Sequence, residues 1–293
     1  MKILLSKPAA LLLAAVLLLL CACGADVRAA VPPSAAPSPL TTPAPTPEPT
    51  PEPPAAMAPD GEHPRLVAHA GGAVWGYRDT NSREALDAAW AGGFRFVELD
   101  LQRTTDGELV LLHDWDAMCR RLLGREGPLS REEFLCRTAL AGLTLMDLED
   151  LLAWLEDHPG CSVITDVKTE DNAPVLAELR ERAGALADRF IPQAYGFEEA
   201  AALREAGWPR VILTLYRMET TPGQVAAFLE ENPLWAVTVS EGRLTEAMAE
   251  AVSGSGTALY CHAVNALDFF DEWKDKGLTG IYTDYFQPEH WAE

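Results

Sequence analysis

The stretch LVAHAGGAVWGYRDTNSREALDAAWAGGFRFVELDLQ, residues 66–102, contains the first strand–helix–strand unit of the chain. Residues 66–70 are a short apolar run typical of a buried strand, residues 81–91 have a helical pattern, and residues 94–102 predict a second strand. Asn81 and Glu84 are spaced as a capping box, so we expect Asn81 to cap this helix. Strands joined through a helix run parallel, so the unit predicts a parallel sheet.

The same alternation continues to the end of the chain. Further strands are predicted over residues 162–168, 190–195, 211–216, 235–240, 258–264 and 280–284. Further helices are predicted over residues 144–157 (with Thr144 and Asp147 as caps), 173–186, 197–206, 222–231, 245–252 and 267–276. Eight strands with intervening helices in residues 63–293 predict an α/β fold, a (βα)8 TIM barrel. A doubly wound open sheet is the alternative, but the GxGxxG phosphate-binding pattern is absent.

One strand-like segment, residues 108–114, breaks this alternation because no helix separates it from residues 94–102. The residues between them, TTDG at 104–107, are a tight hairpin signal. With the turn centred between Thr105 and Asp106, Glu98 falls opposite His113, and the register slips by one if Gly107 forms a bulge. The sequence therefore predicts a hairpin on the barrel rim after strand 2, followed by a small insertion over residues 115–141.

The first 62 residues have a composition unlike that of the barrel. Residues 1–22 have a basic start and a short apolar run, which predicts a signal peptide. LCACG at 20–24 resembles a bacterial lipobox with Cys23 as the lipidated residue; an ordinary signal peptide cut later is the alternative. Residues 23–62 contain 12 of the 22 prolines and predict an extended spacer, or else a Pro-rich ligand for a partner. We expect an extracytoplasmic domain with a lipid anchor in the cell membrane.

Charge and cysteine spacing exclude several classes of function. The formal net charge of −21 argues against a nucleic-acid partner, which normally meets a basic face. It also argues against a catalytic domain that binds anionic lipid by charge. No CxxC pair is present, which argues against a structural zinc site. Cys119 and Cys136 flank one short segment and could form a disulfide; the alternative is that Cys119, Cys136, Cys161 and Cys261 are four free buried thiols.

Acidic residues recur at alternate positions near the ends of two neighbouring strands. Glu98 and Asp100 share one face of strand 2, and Asp166 and Lys168 repeat the spacing on strand 3. Active sites of barrels are built at these C-terminal strand ends. Three inward carboxylates repel one another and need a cation, and oxygen-only ligands suit Ca²⁺ or Mg²⁺.

Two histidines are expected near these carboxylates. His69 ends strand 1, and the hairpin argument brings His113 beside Glu98. Imidazoles beside a cation site suit general acid and base catalysis near neutral pH.

The order of these motifs resembles that of the glycerophosphodiester phosphodiesterase family. The matching segments are His69-Ala70-Gly71, Thr80-Asn81-Ser82, Glu98-Leu99-Asp100, Thr104-Thr105-Asp106-Gly107, His113-Asp114, Asp166-Val167-Lys168, His262-Ala263-Val264-Asn265 and Thr283-Asp284. The resemblance spans nearly the whole domain. It implies that His69 and His113 are the catalytic acid/base pair and that Glu98, Asp100 and Asp166 bind the metal. It further implies that Lys168 and His262 contact the substrate.

Four residues depart from the family pattern. Ala70 replaces an arginine near the phosphate, Thr80 replaces a glutamate, Asp166 is one methylene shorter than the usual glutamate, and His262 replaces a tryptophan. These changes put the substrate identity in doubt and suggest a divergent branch of the family.

The expected activity is metal-dependent hydrolysis of a small-molecule glycerophosphodiester to glycerol phosphate and an alcohol. One alternative is a non-catalytic surface protein that binds phosphodiesters or teichoic-acid-like polymers, although two retained histidines argue against it. Another is a phospholipase on a related barrel, which the polar character of the insertion disfavours.

Overall fold

A computed structural model describes residues 63–170 and 172–288. The signal peptide, Cys23 and the spacer, all predicted within residues 1–62, lie outside the described residues. The described chain confirms the TIM barrel. Its eight parallel strands are β1 (Leu66–Ala68), β2 (Phe96–Arg103), β4 (Ser162–Val167), β5 (Phe190–Ala194), β6 (Ile212–Thr214), β7 (Ala236–Ser240), β8 (Ala258–His262) and β9 (Gly280–Thr283), and β3 (Leu109–Leu111) is antiparallel to β2.

The barrel closes through β1, one of its two shortest strands. Ala68 of β1 pairs in parallel with Val97 of β2 on one side and with Thr283 of β9 on the other. The remaining strands follow in chain order from β4 to β9. Each connection between successive parallel strands contains at least one helix and is therefore long enough for a crossover connection.

Helices cover the outside of these strands. They are α1 (Arg83–Ala91), α4 (Leu148–Asp157), α5 (Asn172–Ala183), α6 (Phe197–Glu205), α7 (Pro222–Glu231), α8 (Glu246–Ser253) and α9 (Leu267–Trp273), whereas α2 (Ala117–Leu123) and α3 (Arg131–Leu135) belong to the insertion. Outward-facing strand residues such as Leu99 and Val163 pack with apolar helix residues such as Leu151 in the main core. Each fully buried side chain of this kind stabilises the fold by about 1.5–3 kcal/mol.

Inward-facing side chains change from apolar to polar along the strands. Phe96 and Ile164 belong to an apolar cluster that also contains Ile191 and Tyr260. Because side chains alternate along a strand, Glu98 shares the face of Phe96 and Asp166 shares the face of Ile164. The interior is therefore apolar near the N-terminal strand ends and polar at the C-terminal mouth.

The hairpin after β2 is present, but its register differs by one residue from the sequence expectation. Leu101 pairs with Leu111, so continuation of the register places His113 opposite Leu99 rather than Glu98. Gly107 has a φ of 89°, a left-handed conformation that adds one residue to the turn.

One predicted helix cap, Asp147, is confirmed, and two others, Asn81 and Thr144, are wrong. Ser82, not Asn81, caps α1, because the Ser82 hydroxyl accepts the Ala85 N–H. Asp147, not Thr144, caps α4, where it forms a capping box with Asp150. Asn81 instead reaches the neighbouring strand, as described below.

The insertion forms a small hydrophobic cluster of its own. Leu122, Leu129 and Phe134 pack there against Val110 and Leu112 of the hairpin arm. Cys119 is a buried free thiol in this cluster and Cys136 is an exposed free thiol. Across the described chain, none of the helices has the length and apolar character needed to span a membrane.

Candidate active site

Three carboxylates meet at the C-terminal mouth of the barrel. Asp100 of β2 and Asp166 of β4 are paired in the parallel register, and Glu98 lies one inward position below Asp100. One oxygen from each of the three side chains lies within 4.8 Å of the other two, and all three residues are buried. The structure therefore brings together the three residues that the sequence assigns to a metal.

The position of each carboxylate on β2 is fixed by loop residues. The Ala70 N–H donates to Glu98 Oε2 at 2.9 Å. Asn81 Nδ2 donates to Asp100 Oδ2 at 2.8 Å, and Asn81 Oδ1 accepts the Asp100 N–H at 2.9 Å. Asn81 is thus part of the site, a role hidden from the sequence because its local spacing favoured a helix cap.

Electrostatics in this acidic cluster favour an additional positive charge. Burial and the neighbouring charge of Asp100 raise the pKa of Glu98 to about 8, even though His69 and Lys168 act in the opposite direction. A buried carboxylate with a raised pKa is stabilised by a cation placed beside it.

Lys168 lies between two of the acids. Its Nζ is 2.9 Å from Asp100 Oδ1 and 2.7 Å from Asp166 Oδ2. Burial alone would lower the pKa of Lys168, but Asp100, Asp166 and Glu98 outweigh it and raise the pKa well above its usual value. The ammonium is therefore charged and is a counterion of the cluster, and the substrate contact that the family resemblance implies for Lys168 stays a prediction.

Residues beyond β5 and β6 surround the outer side of Asp166. The hydroxyls of Tyr195 and Tyr216 donate to Asp166, the second at 3.2 Å from Oδ2. The Nη2 atom of Arg217 lies 3.6 Å from Asp166 Oδ1. Burial would raise the pKa of Asp166, but Lys168, Tyr195 and Arg217 hold it below its usual value. These three residues, which follow β5 and β6, were not found from the sequence; the available signal is the inward position that alternation gives to Tyr195 after β5 and to Tyr216 after β6.

His69 is held by a carboxylate at the end of β9. Its Nδ1 lies 2.8 Å from Asp284 Oδ1, and its Nε2 lies 4.0 Å from Glu98 Oε2. Asn265 Nδ2 donates to Asp284 Oδ2 at 2.7 Å and so fixes the carboxylate. Burial alone would lower the pKa of His69, but the Asp284 hydrogen bond and the charges of Glu98 and Asp284 raise it to about 9. The sequence marked Asp284 only as part of a motif.

A second carboxylate, that of Asp79, lies near the same ring nitrogen of His69. Asp79 Oδ1 is 3.6 Å from His69 Nδ1, and Arg78 pairs with both Asp79 and Asp284 at 3.5 and 3.6 Å. His69 and Arg78 therefore supply the positive charge that balances Asp79 and Asp284.

His113 occupies the end of the hairpin arm, half-exposed at 45% of its side chain. Its Nδ1 lies 2.8 Å from Asp114 Oδ2, and its carbonyl accepts Gln102 Nε2. Among the described residues, Glu98 is not a hydrogen-bond partner of His113. The shifted register explains this separation, because Leu112 rather than His113 bonds to Asp100, through its N–H at 3.1 Å.

His262 lies at the end of β8 with its Nδ1 2.9 Å from Thr238 Oγ1. Its ring packs edge-on against Tyr216 with centroids 5.6 Å apart. Burial, and then the charge of His69, lower the pKa of His262 to about 4. A neutral imidazole at this position can give or accept a hydrogen bond but carries no charge toward an anion.

The two other departures from the family pattern are buried. Ala70 adopts a left-handed conformation with a φ of 47° directly after His69. The Thr80 hydroxyl lies 3.0 Å from the Ser82 hydroxyl. Neither residue supplies a charge to the site.

The donor set at Glu98, Asp100 and Asp166 fits a hard divalent cation. All three ligands are carboxylate oxygens, which Ca²⁺ and Mg²⁺ prefer, whereas zinc favours nitrogen and sulfur. The raised pKa of Glu98 agrees with this fit. With His69 beside it, the cluster would place a bound cation next to a proton-transfer group within one mouth.

Comparisons with known proteins point to one family. The family model for the Glycerophosphoryl diester phosphodiesterase family matches residues 72–287. A glycerophosphodiester phosphodiesterase structure from Thermotoga maritima has a TM-score of 0.61 at 17% identity, covering 75% of this chain and 94% of that one. One from Parabacteroides distasonis has a TM-score of 0.58 at 21% identity, covering 75% and 92%.

A third similar structure contains a ligand. It is an Oleispira antarctica phosphodiesterase in complex with the product sn-glycerol-3-phosphate, with a TM-score of 0.62 at 15% identity, covering 76% of this chain and 94% of that one. At these identities the structures establish the fold, and the family model covers most of the barrel. The chain therefore belongs to the glycerophosphoryl diester phosphodiesterase family and is a phosphoric diester hydrolase of the glycerophosphodiester phosphodiesterase type.

Proposed function

We propose that this enzyme hydrolyses glycerophosphodiesters to glycerol phosphate and an alcohol with the help of Ca²⁺ or Mg²⁺ held by Glu98, Asp100 and Asp166. The observation that carries the proposal is the buried carboxylate cluster, in which one oxygen of each residue lies within 4.8 Å of the others. When bound, a divalent cation polarises phosphoryl oxygens and lowers the pKa of a nearby hydroxyl.

In this proposal, one of the two imidazoles of His69 and His113 accepts a proton and the other donates one. Each has its Nδ1 at 2.8 Å from a carboxylate, Asp284 and Asp114 respectively, which leaves Nε2 for proton transfer. One imidazole accepts the proton of the nucleophile as its oxygen bonds to phosphorus. The other donates a proton to the alkoxide that leaves as the ester P–O bond breaks.

Two nucleophiles satisfy this scheme. Water gives glycerol phosphate directly. A hydroxyl of the substrate's own glycerol gives a cyclic phosphate, which water then opens with the two imidazoles in reversed roles. The Oleispira phosphodiesterase, solved with sn-glycerol-3-phosphate, supports glycerol phosphate as the product to measure here.

The hairpin arm supports a role for His113. The Leu112 N–H donates to the Asp100 carbonyl at 3.1 Å, which keeps the following residue beside the ligand-bearing end of β2. Half-exposure of the imidazole leaves it accessible to a ligand from solvent.

The test is hydrolysis of glycerophosphocholine, glycerophosphoethanolamine, glycerophosphoinositol and glycerophosphoglycerol, with sn-glycerol-3-phosphate measured by mass spectrometry. We expect release from at least one substrate, and a loss of about 10²–10⁴-fold in His69→Ala and His113→Ala. His158→Ala is the matched control, because that imidazole stacks on Trp154 at 3.9 Å outside the mouth. Near-wild-type rates in both active-site variants would refute the acid/base assignment.

We further propose that the enzyme acts outside the cytoplasm on a lipid anchor at Cys23. The order of a basic start, an apolar run, a lipobox-like LCACG and a Pro-rich spacer supports this location. A 40-residue spacer suits a domain that reaches small diffusible phosphodiesters rather than one pressed on the bilayer.

A further inference from the structure

Arg217 is a partly exposed cation fixed beside the carboxylate cluster. It follows β6, and its guanidinium lies 3.8 Å from the centre of the Tyr195 ring and 5.2 Å from that of Tyr216. Its Nη2 donates to the Val167 carbonyl at 3.3 Å and lies 3.6 Å from Asp166 Oδ1. Stacking on an aromatic face fixes the guanidinium plane and leaves its edge for hydrogen bonding.

The two tyrosines attach this cation to the metal-ligand side of the mouth. The Tyr195 hydroxyl donates to Asp166 and, at 3.2 Å, is also within reach of the Val167 carbonyl. The Tyr216 hydroxyl donates to Asp166 Oδ2 at 3.2 Å. Arg217 is therefore positioned by groups that are themselves bound to Asp166.

Charge makes such a cation useful. A phosphodiester is an anion that must approach three buried carboxylates in a chain of net charge −21. Lys168 is 13% exposed and is bonded to Asp100 and Asp166 at 2.9 and 2.7 Å. Arg217 is 33% exposed, and its contact with Asp166 is longer, at 3.6 Å. It is thus better placed than Lys168 to meet an incoming anion.

Ala70, which follows His69 just after β1, supplies no cation to the site. Ala70 is buried, and its backbone N–H is bonded to Glu98 at 2.9 Å. Arg78 lies on the His69 side, where it pairs with Asp79 and Asp284. Arg217 consequently supplies exposed positive charge on the side of the mouth next to Asp166.

We propose that Arg217 binds the non-bridging oxygens of the substrate's phosphodiester group, and those of the glycerol phosphate product, as a substrate-binding residue of this enzyme. The assignment rests on the proposed function. A guanidinium fork matches two phosphoryl oxygens in a way that an ammonium does not. Tyr195 and Tyr216 serve as positioning residues for it.

The experiment compares Arg217→Met and Arg217→Lys with wild type. Binding of sn-glycerol-3-phosphate is measured by calorimetry, and kcat and KM are measured with the substrate found most active in the hydrolysis panel. For Arg217→Met we expect affinity for sn-glycerol-3-phosphate to fall about 10- to 100-fold, in line with loss of a charge-assisted hydrogen-bond pair. Arg217→Lys keeps the charge but loses the fork, so an intermediate loss is expected.

Arg180→Met is the matched control. Arg180 also stacks on an aromatic ring, 5.0 Å from the centre of Trp208, and donates to the Ala206 and Gly207 carbonyls. It lies near the C-terminal end of α5, away from the barrel mouth, and we expect affinity within about twofold of wild type because no phosphate contact is lost. Thermal melts of all variants check folding.

The outcomes separate the two proposals. Wild type that hydrolyses substrate, together with Arg217→Met and Arg217→Lys that bind sn-glycerol-3-phosphate as tightly as wild type, overturns the Arg217 assignment alone. Wild type that neither hydrolyses the panel nor binds sn-glycerol-3-phosphate overturns both the assignment and the proposed function.

Discussion

Asp284→Asn tests how His69 is held for proton transfer. Asp284 receives two donors, His69 Nδ1 at 2.8 Å on Oδ1 and Asn265 Nδ2 at 2.7 Å on Oδ2. An amide offers one acceptor oxygen and one NH₂ group. It must therefore present its NH₂ either to Asn265 Nδ2, which is also a donor, or to His69 Nδ1, which then loses its proton to Nε2.

The expected loss follows from the charge and the hydrogen bond. A histidinium and a carboxylate about 4 Å apart, charge centre to charge centre, interact by about 4 kcal/mol at an effective dielectric constant near 20. An amide retains part of the hydrogen bond, so about 2–4 kcal/mol of stabilisation of the protonated imidazole is lost. When His69 is neutral in the ground state and takes up the nucleophile's proton in the transition state, this loss lowers kcat by about 30- to 1,000-fold with little change in KM, because about 1.4 kcal/mol corresponds to tenfold.

The assay is the pH dependence of kcat and kcat/KM. Asp284 raises the pKa of His69, so its replacement lowers that pKa and moves the corresponding limb of the profile to lower pH. Asp79→Asn is the control, because Asp79 Oδ1 lies farther away, at 3.6 Å from the same Nδ1. Wild-type kcat with an unmoved profile in Asp284→Asn would refute this role of Asp284.

Three further predictions concern other parts of the chain. Iodoacetamide applied to the native protein should label Cys136, which is exposed, before the buried Cys119 and Cys161, and equal labelling in a peptide map would contradict the packing of the insertion. Cys23→Ser should release the protein from the membrane fraction, whereas retention after a carbonate wash would mean that the apolar segment itself is the anchor. Leu99→Ala should cost about 2–5 kcal/mol of unfolding free energy in urea melts, because Leu99 is fully buried between β2 and the helices, and a cost below about 1 kcal/mol would be inconsistent with this packing.

The barrel and the acid cluster were predictable because both depend on short-range periodicity. A two-residue repeat places Glu98 and Asp100 on one face of β2, and the parallel register then brings Asp166 beside Asp100. The alternation of strands and helices similarly determines the closed sheet. No long-range information was needed for either inference.

Contacts between distant residues were not predictable in the same way. Asp284 and His69 are 215 positions apart, and Asn81 and Asp100 are 19 apart with a competing local interpretation of Asn81 as a cap. Arg217 lies in a loop whose pattern contains no signal for its position beside Asp166. These residues can be recognised as parts of one site only in the folded barrel, where the strand ends converge.

The hairpin shows how one backbone angle limits such inference. The turn sequence correctly predicts an antiparallel arm, but the left-handed Gly107 shifts the pairing by one residue. Because successive side chains point to opposite faces, this shift separates His113 from the position directly opposite Glu98. Register, rather than fold, was the weak point of the sequence prediction.

The most direct test of the central claim is a calorimetric titration of the chelated full-length protein with Ca²⁺ and Mg²⁺, with hydrolysis measured on the same samples. We predict one divalent cation per chain and a rate that returns in proportion to occupancy. Both should be lost in Asp100→Asn and retained in Glu156→Gln, an exposed residue of α4. Full hydrolysis by a chelated protein that binds neither cation would contradict the assignment of Glu98, Asp100 and Asp166. Binding and activity restored by Zn²⁺ alone would instead make His69 or His113 a metal ligand and remove it from the acid/base pair.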